Sequence, residues 1–285
     1  MPYRTYKNAV LAFRRIFAAA LLCVLLIGAA AAQTLIEEVE KGIKEKQFAV
    51  YIQPVYNLEG YSLSNGEALV RWFHPEKGLI MPDNFIPKLE DYPHTMRQLD
   101  IYMLENICAF LSKQQSENKK VVPLAVNFSR RTLEQEDIFY VIKSITEEYG
   151  ISPDLLIVEI MESPSSKNEH QLALHLEQLN NHGFTIAMDD YGKEFSNMHF
   201  LKKLPVNVLK LDRKYALALS ENATQKEIAA LAKMGDKNNF ILLAEGIEDE
   251  KSAQDFKALG CQKGQGYYFS KPLPAENFAM LLEGK

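Results

Sequence analysis

Two adjacent carboxylates that could bind a metal ion follow the apolar stretch Thr185–Met188. They are Asp189 and Asp190, and Gly192 lies two residues further on. The pattern predicts a buried strand whose last residues enter a site. Neighbouring carboxylates at such a strand end repel each other unless a cation lies between them. A solvated turn is the alternative, and for these residues taken alone it is the better interpretation.

Similar polar groups recur at the ends of most other predicted strands. Glu67 lies in the second strand, where alternation places it on one face with Leu69 and Arg71. Lys210 stands between two leucines on a predicted buried strand, so it needs a negative partner. The other strand-end groups are Asn127, Glu159 with Glu162, Asp212, Glu245 with Glu248, and Gln265.

Together these groups predict one shared cup of oxygen ligands. Such ligands suit Mg²⁺, Mn²⁺ or Ca²⁺ and do not suit zinc. An acidic cup with bridging aspartates and one lysine is typical of two metal ions that clamp an in-line phosphoryl displacement. A single structural metal, or a carboxylate pair that cleaves sugars, would use fewer acids.

Several of these residues also have a purely structural interpretation. Glu67 could form an ion pair with Arg71, and Asn127 could cap the turn that follows it. Glu162 could be an acid at a helix start, and Glu248 could be surface charge.

The elements that must position the cup alternate regularly along the chain. Eight strands are predicted: Phe48–Pro54, Tyr61–Trp72, Val121–Asn127, Leu155–Ile160, Thr185–Met188, Val206–Leu211, Phe240–Ala244 and Gln265–Ser270. Helical patterns lie between them: Met96–Leu111, Leu133–Tyr149, Glu169–His182, Ser196–Leu204, Thr224–Lys237, Lys251–Leu259, and a last helix from Pro274. This alternation predicts an α/β fold, a (β/α)8 TIM-type barrel over residues 33–285. Too few residues separate the first two strands for a helix, so one strand should be antiparallel.

An N-terminal hydrophobic segment precedes the predicted barrel. Residues 1–32 carry Arg4, Lys7, Arg14 and Arg15 but no acid, and Ile16–Ala32 is an uncharged apolar run that ends in small residues. This pattern predicts a signal peptide or an N-terminal membrane anchor. The basic N-terminus predicts that the barrel is exported to the periplasm.

Composition limits the partners of the barrel. The chain is 47% hydrophobic and 24% charged, as in an ordinary globular protein, with a net charge of −5. Without the four basic residues of the leader, the balance is 28 − 37 = −9. A body this acidic should not bind long nucleic acids, although a small phosphorylated ligand is compatible with it if metals supply positive charge. Cys108 and Cys261 are predicted to be buried thiols, with a disulfide as the alternative.

The ordered motifs resemble those of the EAL-domain cyclic di-GMP phosphodiesterases. The resemblance extends from about Glu37 to the C-terminus. Its motifs are Gln53-Pro54, Glu67–Trp72, His74-Pro75, Pro82–Pro87, Val126–Ser129, Glu159–Ser163, Asp189–Gly192, Leu204–Asp212, Ala244–Glu248 and Gln265–Pro272. It implies a barrel with one antiparallel strand that hydrolyses cyclic di-GMP to linear pGpG with two Mg²⁺ or Mn²⁺ ions.

The resemblance also implies a role for each site residue. The implied metal ligands are Glu67, Asn127, Glu159, Asp189, Asp190 and Glu245, with Asp189 bridging and Glu245 a ligand or a base. Lys210 would orient the attacking water. Arg71 and Gln53 would hold phosphate or guanine, while Gln265 and Glu248 would support the site. Glu162 would support a loop, and the family's loop after the aspartate pair implies that the chain can form a homodimer.

The chain departs from the family pattern in three places. Met161 replaces a usual threonine, the residues Lys193–Phe195 replace a glycine-containing and hydroxyl-containing loop, and residues 88–97 lack the usual glutamate and glycine.

The leading hypothesis is the metal-dependent phosphodiesterase. The alternatives are a cyclic di-GMP receptor with weak turnover and a protein-interaction adaptor. The predicted export of the barrel favours the alternatives, because cyclic di-GMP is made in the cytoplasm.

Overall fold

A computed structural model describes residues 33–161, 168–192, 201 and 203–284. Its strands are β1 (Phe48–Asn57), β2 (Leu63–His74), β3 (Gly78–Ile80), β4 (Leu124–Phe128), β5 (Leu156–Met161), β6 (Thr185–Tyr191), β7 (Val208–Leu211), β8 (Ile241–Ala244), β9 (Lys263–Gly264) and β10 (Leu273–Pro274). Eight of them close a ring in the order β1-β2-β4-β5-β6-β7-β8-β9, in which β9 returns to β1. β3 pairs with β2, and β10 pairs with β1.

One strand of the barrel is antiparallel, as predicted. β1 runs against both of its neighbours, β2 and β9, whereas all the other neighbouring pairs of the ring are parallel. The turn between β1 and β2 is short and tight, with positive φ at Gly60 and Tyr61, and the Asn57 side chain donates to Ser62 Oγ at 2.9 Å. This turn cannot hold a crossover helix, so the prediction of a TIM-type barrel with one reversed strand is confirmed.

Most of the helices lie between successive parallel strands, whereas the first precedes β1 and the last follows β10. Their ranges are 33–44, Ile86–Leu89, Pro93–Ser116, Arg130–Leu133, Ile138–Glu148, Glu169–Asn181, Arg213–Leu217, Asn222–Asn238, Glu250–Ala258 and Ala275–Leu282. The helix predicted over Leu133–Tyr149 begins only at Ile138, because Leu133 ends a separate short helix that Ser129 caps by accepting a hydrogen bond from Thr132 N. The polar residues 134–137 then interrupt the apolar period. Most of the helix predicted over Ser196–Leu204 lies outside the described residues.

The eighth strand was predicted wrongly. The aromatic run after Gln265 favours a strand by composition. The structure instead places the two-residue strand β9 before Gln265 and forms turns over residues 266–269. Gly266 explains the difference. Its φ is +158°, and a Cβ there would lie 2.1 Å from Ile247 O, so the chain turns away against the preceding loop.

An apolar layer fills the barrel beneath the predicted cup. It consists of Val55, Ala125, Ile157, Ala187, Val208 and Leu243, which pack together as a separate cluster. On five of the parallel strands, the residue two positions further along is a predicted site residue. Because side chains alternate along a strand, that spacing puts the site residues on the same inward face, one layer higher. The layer therefore forms the floor of the site.

Other predictions concern the leader and the cysteines. No helix in the described part of the chain is long and apolar enough to cross a bilayer. Residues 1–32, the predicted leader, lie outside that part. Cys108 and Cys261 are both free and buried, which confirms the prediction of thiols.

Candidate functional site

Lys210 lies at the centre of the predicted cup, on β7. Its side chain is 3% exposed. Nζ lies 3.2 Å from Glu67 Oε2, 3.0 Å from Asp189 Oδ1 and 2.9 Å from Glu245 Oε1, and it also contacts Glu159 Oε1. The buried ammonium therefore has the negative partners that its burial requires, and they come from several different strands.

Glu67 is the second centre of contacts. It lies on β2 and is 6% exposed. Gln265 Nε2 donates a hydrogen bond to Glu67 Oε2 at 2.7 Å, and Asn127 Nδ2 donates to Glu67 Oε1 at 3.3 Å. These two amides fix the carboxylate from both sides. Gln265 reaches it because the chain turns immediately after β9 and does not continue as a strand.

A bulge aims the two neighbouring aspartates at one place. In a regular strand, Asp189 and Asp190 would point to opposite faces. The register between β6 and β7 shifts between Met188 and Tyr191, and Asp190 has a left-handed φ of 55°. As a result, both carboxylates come within 4.8 Å of a carboxylate oxygen of Glu245. Bulges that redirect side chains in this way are frequent beside active sites.

A close backbone contact fixes the end of this bulge. Gly192 has a φ of +98°, and a Cβ at this position would lie 2.5 Å from the ring of Tyr215. Tyr215 Oη in turn donates to Glu227 Oε1 at 2.7 Å. Only a glycine fits between the bulge and this ring, so the position of the aspartate pair depends on Gly192.

Burial and crowding shift the pKa values of the site. Burial raises the pKa of Glu245 to about 8, since the nearby Asp189 and Glu67 carboxylates add to the effect and Lys210 offsets only part of it. Burial likewise raises the pKa of Glu159 well above its usual value. Burial disfavours the charged Lys210, but the surrounding carboxylates together outweigh it and raise its pKa well above the usual value. Without a metal, this site therefore holds protons tightly.

The residues present fit divalent metal ions. Two groups of carboxylates could each hold an ion, namely Glu67, Glu159 and Asp189, and Asp189, Asp190 and Glu245. Asp189 belongs to both, as a bridging ligand does. The five acids and Lys210 have a formal charge of −5 + 1 = −4, which two divalent ions would balance. Glu159 Oε2 is buried and has no hydrogen-bond partner among the described residues, which is costly unless a cation takes it.

Two cavities flank the acids. One, of about 290 Å³, is lined by polar residues, among them Gln53, Arg213 and Glu248. The other, of about 310 Å³, is mainly apolar and lies between β2, β4 and the helix Pro93–Ser116. Glu67, Leu69 and Asp189 line both. An extended ligand with two bulky halves could therefore place its middle at the acids and one half in each cavity.

The structure brings most of the predicted site residues together, but not all. Arg71 is buried against the Tyr51 ring, 5.4 Å from its centroid, and NH1 donates to Val70 O. It is not among the described residues that line either cavity. Glu248 lies on the rim of the polar cavity, 2.6 Å from an Arg213 nitrogen. Glu162 and Lys193–Phe195 lie outside the described residues.

Sequence reasoning missed Arg213 and Tyr267, which also line the polar cavity. Arg213 follows β7 within a motif already singled out, and Tyr267 stands next to Gln265 and Gly266. The sequence signal that could have identified Arg213 and Tyr267 is that they lie close along the chain to the predicted site residues Lys210 and Gln265. Alternation along the predicted eighth strand would also have put Tyr267 on the same face as Gln265.

Comparison with known proteins shows which proteins this chain is similar to. The family model described as the EAL domain matches residues 36–272. The chain is 30% identical to the cyclic di-GMP phosphodiesterase NbdA of Pseudomonas aeruginosa, over 84% of this chain and 30% of NbdA. It is 28% identical to the bifunctional diguanylate cyclase/cyclic di-GMP phosphodiesterase MucR of the same organism, over 85% of this chain and 35% of MucR. The chain thus spans about a third of the length of these curated relatives.

A solved structure has the same fold. The PaMucR phosphodiesterase in its c-di-GMP complex has a TM-score of 0.78 and 27% identity, and the match covers 86% of this chain and 99% of that one. The EAL domain of FimX from Pseudomonas aeruginosa, bound to c-di-GMP, has a TM-score of 0.75 at 20% identity, over 84% of this chain and 96% of that one. At 20% identity, the likeness to the FimX domain shows only that the two chains share a fold.

Proposed function

The chain belongs to the EAL domain family, and on that premise we propose that it is a metal-dependent phosphodiesterase that hydrolyses cyclic di-GMP to linear pGpG. The observation that carries the proposal is the pair of carboxylate groups that share Asp189. Two such groups, flanked by two cavities, are what a two-metal displacement on a dinucleotide requires. NbdA and the PaMucR complex support the choice of substrate, because their names state cyclic di-GMP hydrolysis and binding.

In this proposal, the acids hold two Mg²⁺ or Mn²⁺ ions. Glu67, Glu159, Asp189, Asp190 and Glu245 supply carboxylate oxygens, and Asn127 supplies its amide oxygen. When bound, such ions neutralise phosphate charge and make water easier to deprotonate. The buried oxygens of Glu159 and the net charge of the cup support this assignment.

Lys210 and Glu245 have different tasks in the proposal. The raised pKa of Lys210 keeps the group an ammonium, so it can donate hydrogen bonds but cannot remove a proton. It orients the attacking water and the carboxylates around it. Glu245 Oε1 lies 2.9 Å from Lys210 Nζ and beside Asp189, so Glu245 is placed either to hold a metal ion or to accept the water's proton, and a bound metal ion would favour the charged carboxylate that either task requires.

Gln53, Glu248 and Gln265 have supporting roles. Gln53 lines the polar cavity beside the acids, so it can contact the substrate. Gln265 holds Glu67 in place through its 2.7 Å hydrogen bond. Arg71 lies over the Tyr51 ring and is not among the described residues that line either cavity, so its implied role stays a prediction.

The purified chain should be incubated with cyclic di-GMP and Mg²⁺ or Mn²⁺, and pGpG should be measured by chromatography. We expect metal-dependent turnover that EDTA stops and that Glu67→Gln reduces at least about hundredfold, because an ion then loses a charged ligand. Calorimetry on the same samples measures binding. Tight binding of cyclic di-GMP without turnover would identify a receptor. If the chain neither binds nor hydrolyses cyclic di-GMP, the protein-interaction adaptor is the remaining alternative.

We further propose that residues 1–32 direct the chain to the membrane, as a signal peptide or an anchor. The sequence pattern supports this, and it predicts a periplasmic barrel, whereas the proposed substrate implies a cytoplasmic one. A reporter that is active on only one side of the membrane, fused to the C-terminus, distinguishes the two. A periplasmic signal would contradict a role in hydrolysing the cytoplasmic pool. The homodimer also stays a prediction, which sedimentation analysis checks.

A further inference from the structure

The ribbon that the end of β2 forms with β3 is apolar on both of its faces. Trp72 pairs with Ile80, and Phe73 pairs with Leu79. Because side chains alternate along a strand, the two pairs lie on opposite faces of the ribbon. Trp72 and Ile80 pack in the cluster around Val39. An antiparallel ribbon that buries one face normally has polar side chains on the other, and this one does not.

The second face carries three large apolar side chains that are exposed. Phe73, Leu79 and Met81 are 45%, 52% and 41% exposed. Met81 continues the extended backbone two residues after Leu79, and Phe73 is the cross-strand neighbour of Leu79, so the three form one surface, the outer face. They are not among the described residues that line the two cavities beside the acids. A single exposed apolar residue is ordinary, whereas a contiguous group marks a contact surface.

The helix over residues 33–44 shows where the chain enters this region. Near the end of this helix, a Cβ at Gly42 would lie 3.2 Å from Trp72 Nε1 on β2. Four residues earlier, Glu38 Oε1 accepts a hydrogen bond at 2.6 Å from Lys77 Nζ, in the turn at the tip of the ribbon. Contacts therefore move towards the tip as the helix is followed towards its start. The first helical residue lies about 7.5 Å beyond Glu38 along the helix axis.

The segment 1–32, for which a membrane role is proposed above, therefore joins the barrel beside the tip of the ribbon. Its apolar run ends at Ala32, and the helix begins at the next residue. Without a flexible linker between them, a segment held in a bilayer would keep the ribbon at the membrane surface, because a short tether gives a high local concentration. The outer face lies on the part of the barrel that this tether holds closest to the bilayer.

The charges of the ribbon indicate which part of a bilayer the outer face fits. Over residues 70–81 the charged side chains are Arg71, Glu76 and Lys77, and Lys77 is paired with Glu38. With Glu38 the formal charge is +2 − 2 = 0. A polybasic cluster would be needed to attract anionic lipid strongly, and this part of the described chain has none. The outer face therefore fits the apolar boundary of a bilayer and not its phosphates.

We propose that Phe73, Leu79 and Met81 form a membrane-contact face that enters the interface of a lipid bilayer when residues 1–32 are in the membrane. This inference rests on the proposed membrane role of residues 1–32 and not on the proposed phosphodiesterase activity. The contact is apolar and does not require charged lipid. Pro82, which lines the apolar cavity, follows Met81 directly, so the contact holds that cavity close to the membrane.

The test uses added tryptophans as depth probes. The full chain, including residues 1–32, is reconstituted in phosphatidylcholine vesicles with or without bromine on the upper part of the acyl chains, because bromine quenches tryptophan only at short range. The variants are Leu79→Trp and Met81→Trp, and urea unfolding checks that each is folded. Trp72 is the one tryptophan of the wild type, and its emission is subtracted.

The matched control is Met280→Trp. Met280 is 49% exposed on the last helix, so an added tryptophan there is about as accessible as one at Leu79. It lies at the opposite end of the barrel, because Glu283, just after this helix, accepts a hydrogen bond at 3.1 Å from Lys120 N, ahead of β4. The control therefore separates contact through the outer face from contact of the whole barrel with lipid.

We expect Leu79→Trp and Met81→Trp to lose about half of their added emission in the brominated vesicles, because side chains that enter the interface lie about 5–10 Å deep, at the level of the bromines. Met280→Trp should lose none. Raising the salt to about 1 M should leave the quenching unchanged, since screening weakens charge attraction and not apolar contact.

Four results would overturn the inference. Vesicle-bound chain without quenching at positions 79 and 81 would show that the outer face does not contact lipid, and the membrane role of residues 1–32 would stand. Equal quenching at positions 79 and 280 would show contact without a defined face, and quenching lost at high salt would show attraction by charge. Self-association that Leu79→Ser abolishes in sedimentation, without quenching, would assign the face to a second copy of the chain.

If the full chain does not float with the vesicles, the membrane role of residues 1–32 and this inference fail together. Turnover of cyclic di-GMP decides the phosphodiesterase separately, because none of the three positions tested belongs to the proposed metal site.

Discussion

The metal-free protein should lose stability as the pH rises from 5 to 8. Glu245 has a pKa of about 8 in the folded chain, against an ordinary value of 4.5. Between these two values the folded state keeps a proton that the unfolded state has lost. Stability falls with pH wherever the folded state binds more protons, so the free energy of unfolding should decrease over this window.

The size of the effect follows from the shift. One additional bound proton corresponds to about 1.4 kcal/mol per pH unit, which gives an upper limit of about 4 kcal/mol for Glu245 between pH 5 and 8. Asp100 adds to it, because burial raises its pKa from 3.8 to about 7 although Thr132 and Ser129 hydrogen-bond to it. Asp100 accounts for up to about 3 kcal/mol of the decrease in the free energy of unfolding between pH 5 and 7. Against a usual total of about 5–15 kcal/mol, this is a large change.

Urea unfolding at pH 5, 6, 7 and 8, with EDTA or with millimolar Mg²⁺, measures these shares. In EDTA, Glu245→Gln and Asp100→Asn should each flatten the pH profile by about their own share, because neither amide titrates. Mg²⁺ should remove the Glu245 share, since a bound cation favours the deprotonated carboxylate, and should leave the Asp100 share in place. The exposed Glu59→Gln should reproduce the wild-type profile.

The reasoning fails if metal-free wild type is equally stable, or more stable, at pH 8 than at pH 5. It also fails if Glu245→Gln leaves the slope unchanged, because the proton would then belong to another group. A profile that Mg²⁺ does not alter would separate the titration from metal binding and would contradict the assignment of Glu245 as a ligand.

Three further predictions concern the bulge, the central cation and the thiols. Gly192→Ala should weaken Mn²⁺ binding in calorimetry and destabilise the chain by about 2 kcal/mol or more, whereas Gly60→Ala, with positive φ but open space around it, should cost about 1 kcal/mol and leave Mn²⁺ binding unchanged. Lys210→Met should lower the free energy of unfolding of the metal-free protein by about 3–5 kcal/mol at pH 8, because the buried acids lose their cationic partner. In the same urea titration, the loss should be smaller at pH 5, where protonated acids tolerate the change. Cys108 and Cys261, whose pKa burial raises to about 12, should not react with a thiol reagent at pH 8 until urea unfolds the chain, and rapid labelling of either in the folded protein would contradict their burial.

The sequence predicted the barrel because its signals are local and periodic. Alternating strands and helices and a hairpin too short for a crossover are visible without any tertiary information, and the reversed β1 follows from them. The convergence of the acids was also predictable, since the carboxyl ends of parallel strands meet at one end of a barrel. Their order along the chain therefore indicated a shared site before any distance was known.

The failures arose where tertiary contacts decide the backbone. Gly266 and its aromatic neighbours look like a strand, and only the clash that a Cβ would make with Ile247 shows why the chain turns. The bulge at Asp190 requires a positive φ that no sequence pattern marked. In each case a single packing contact outweighed a reasonable local rule.

The fold of the barrel depends on its apolar floor, whereas the proposed chemistry depends on the acids above that floor. Val55, Ala125 and their four neighbours pack without any help from the acids above them. Acids of the cup could therefore be exchanged one by one, with loss of the proposed metal-dependent activity, while the same barrel is kept. Some such losses would even relieve repulsion, so natural selection for stability alone would not preserve the cup. A similar fold in two such barrels therefore shows that both have an apolar layer of this kind. Only the side chains in the layer above it show whether the site for the reaction has been kept.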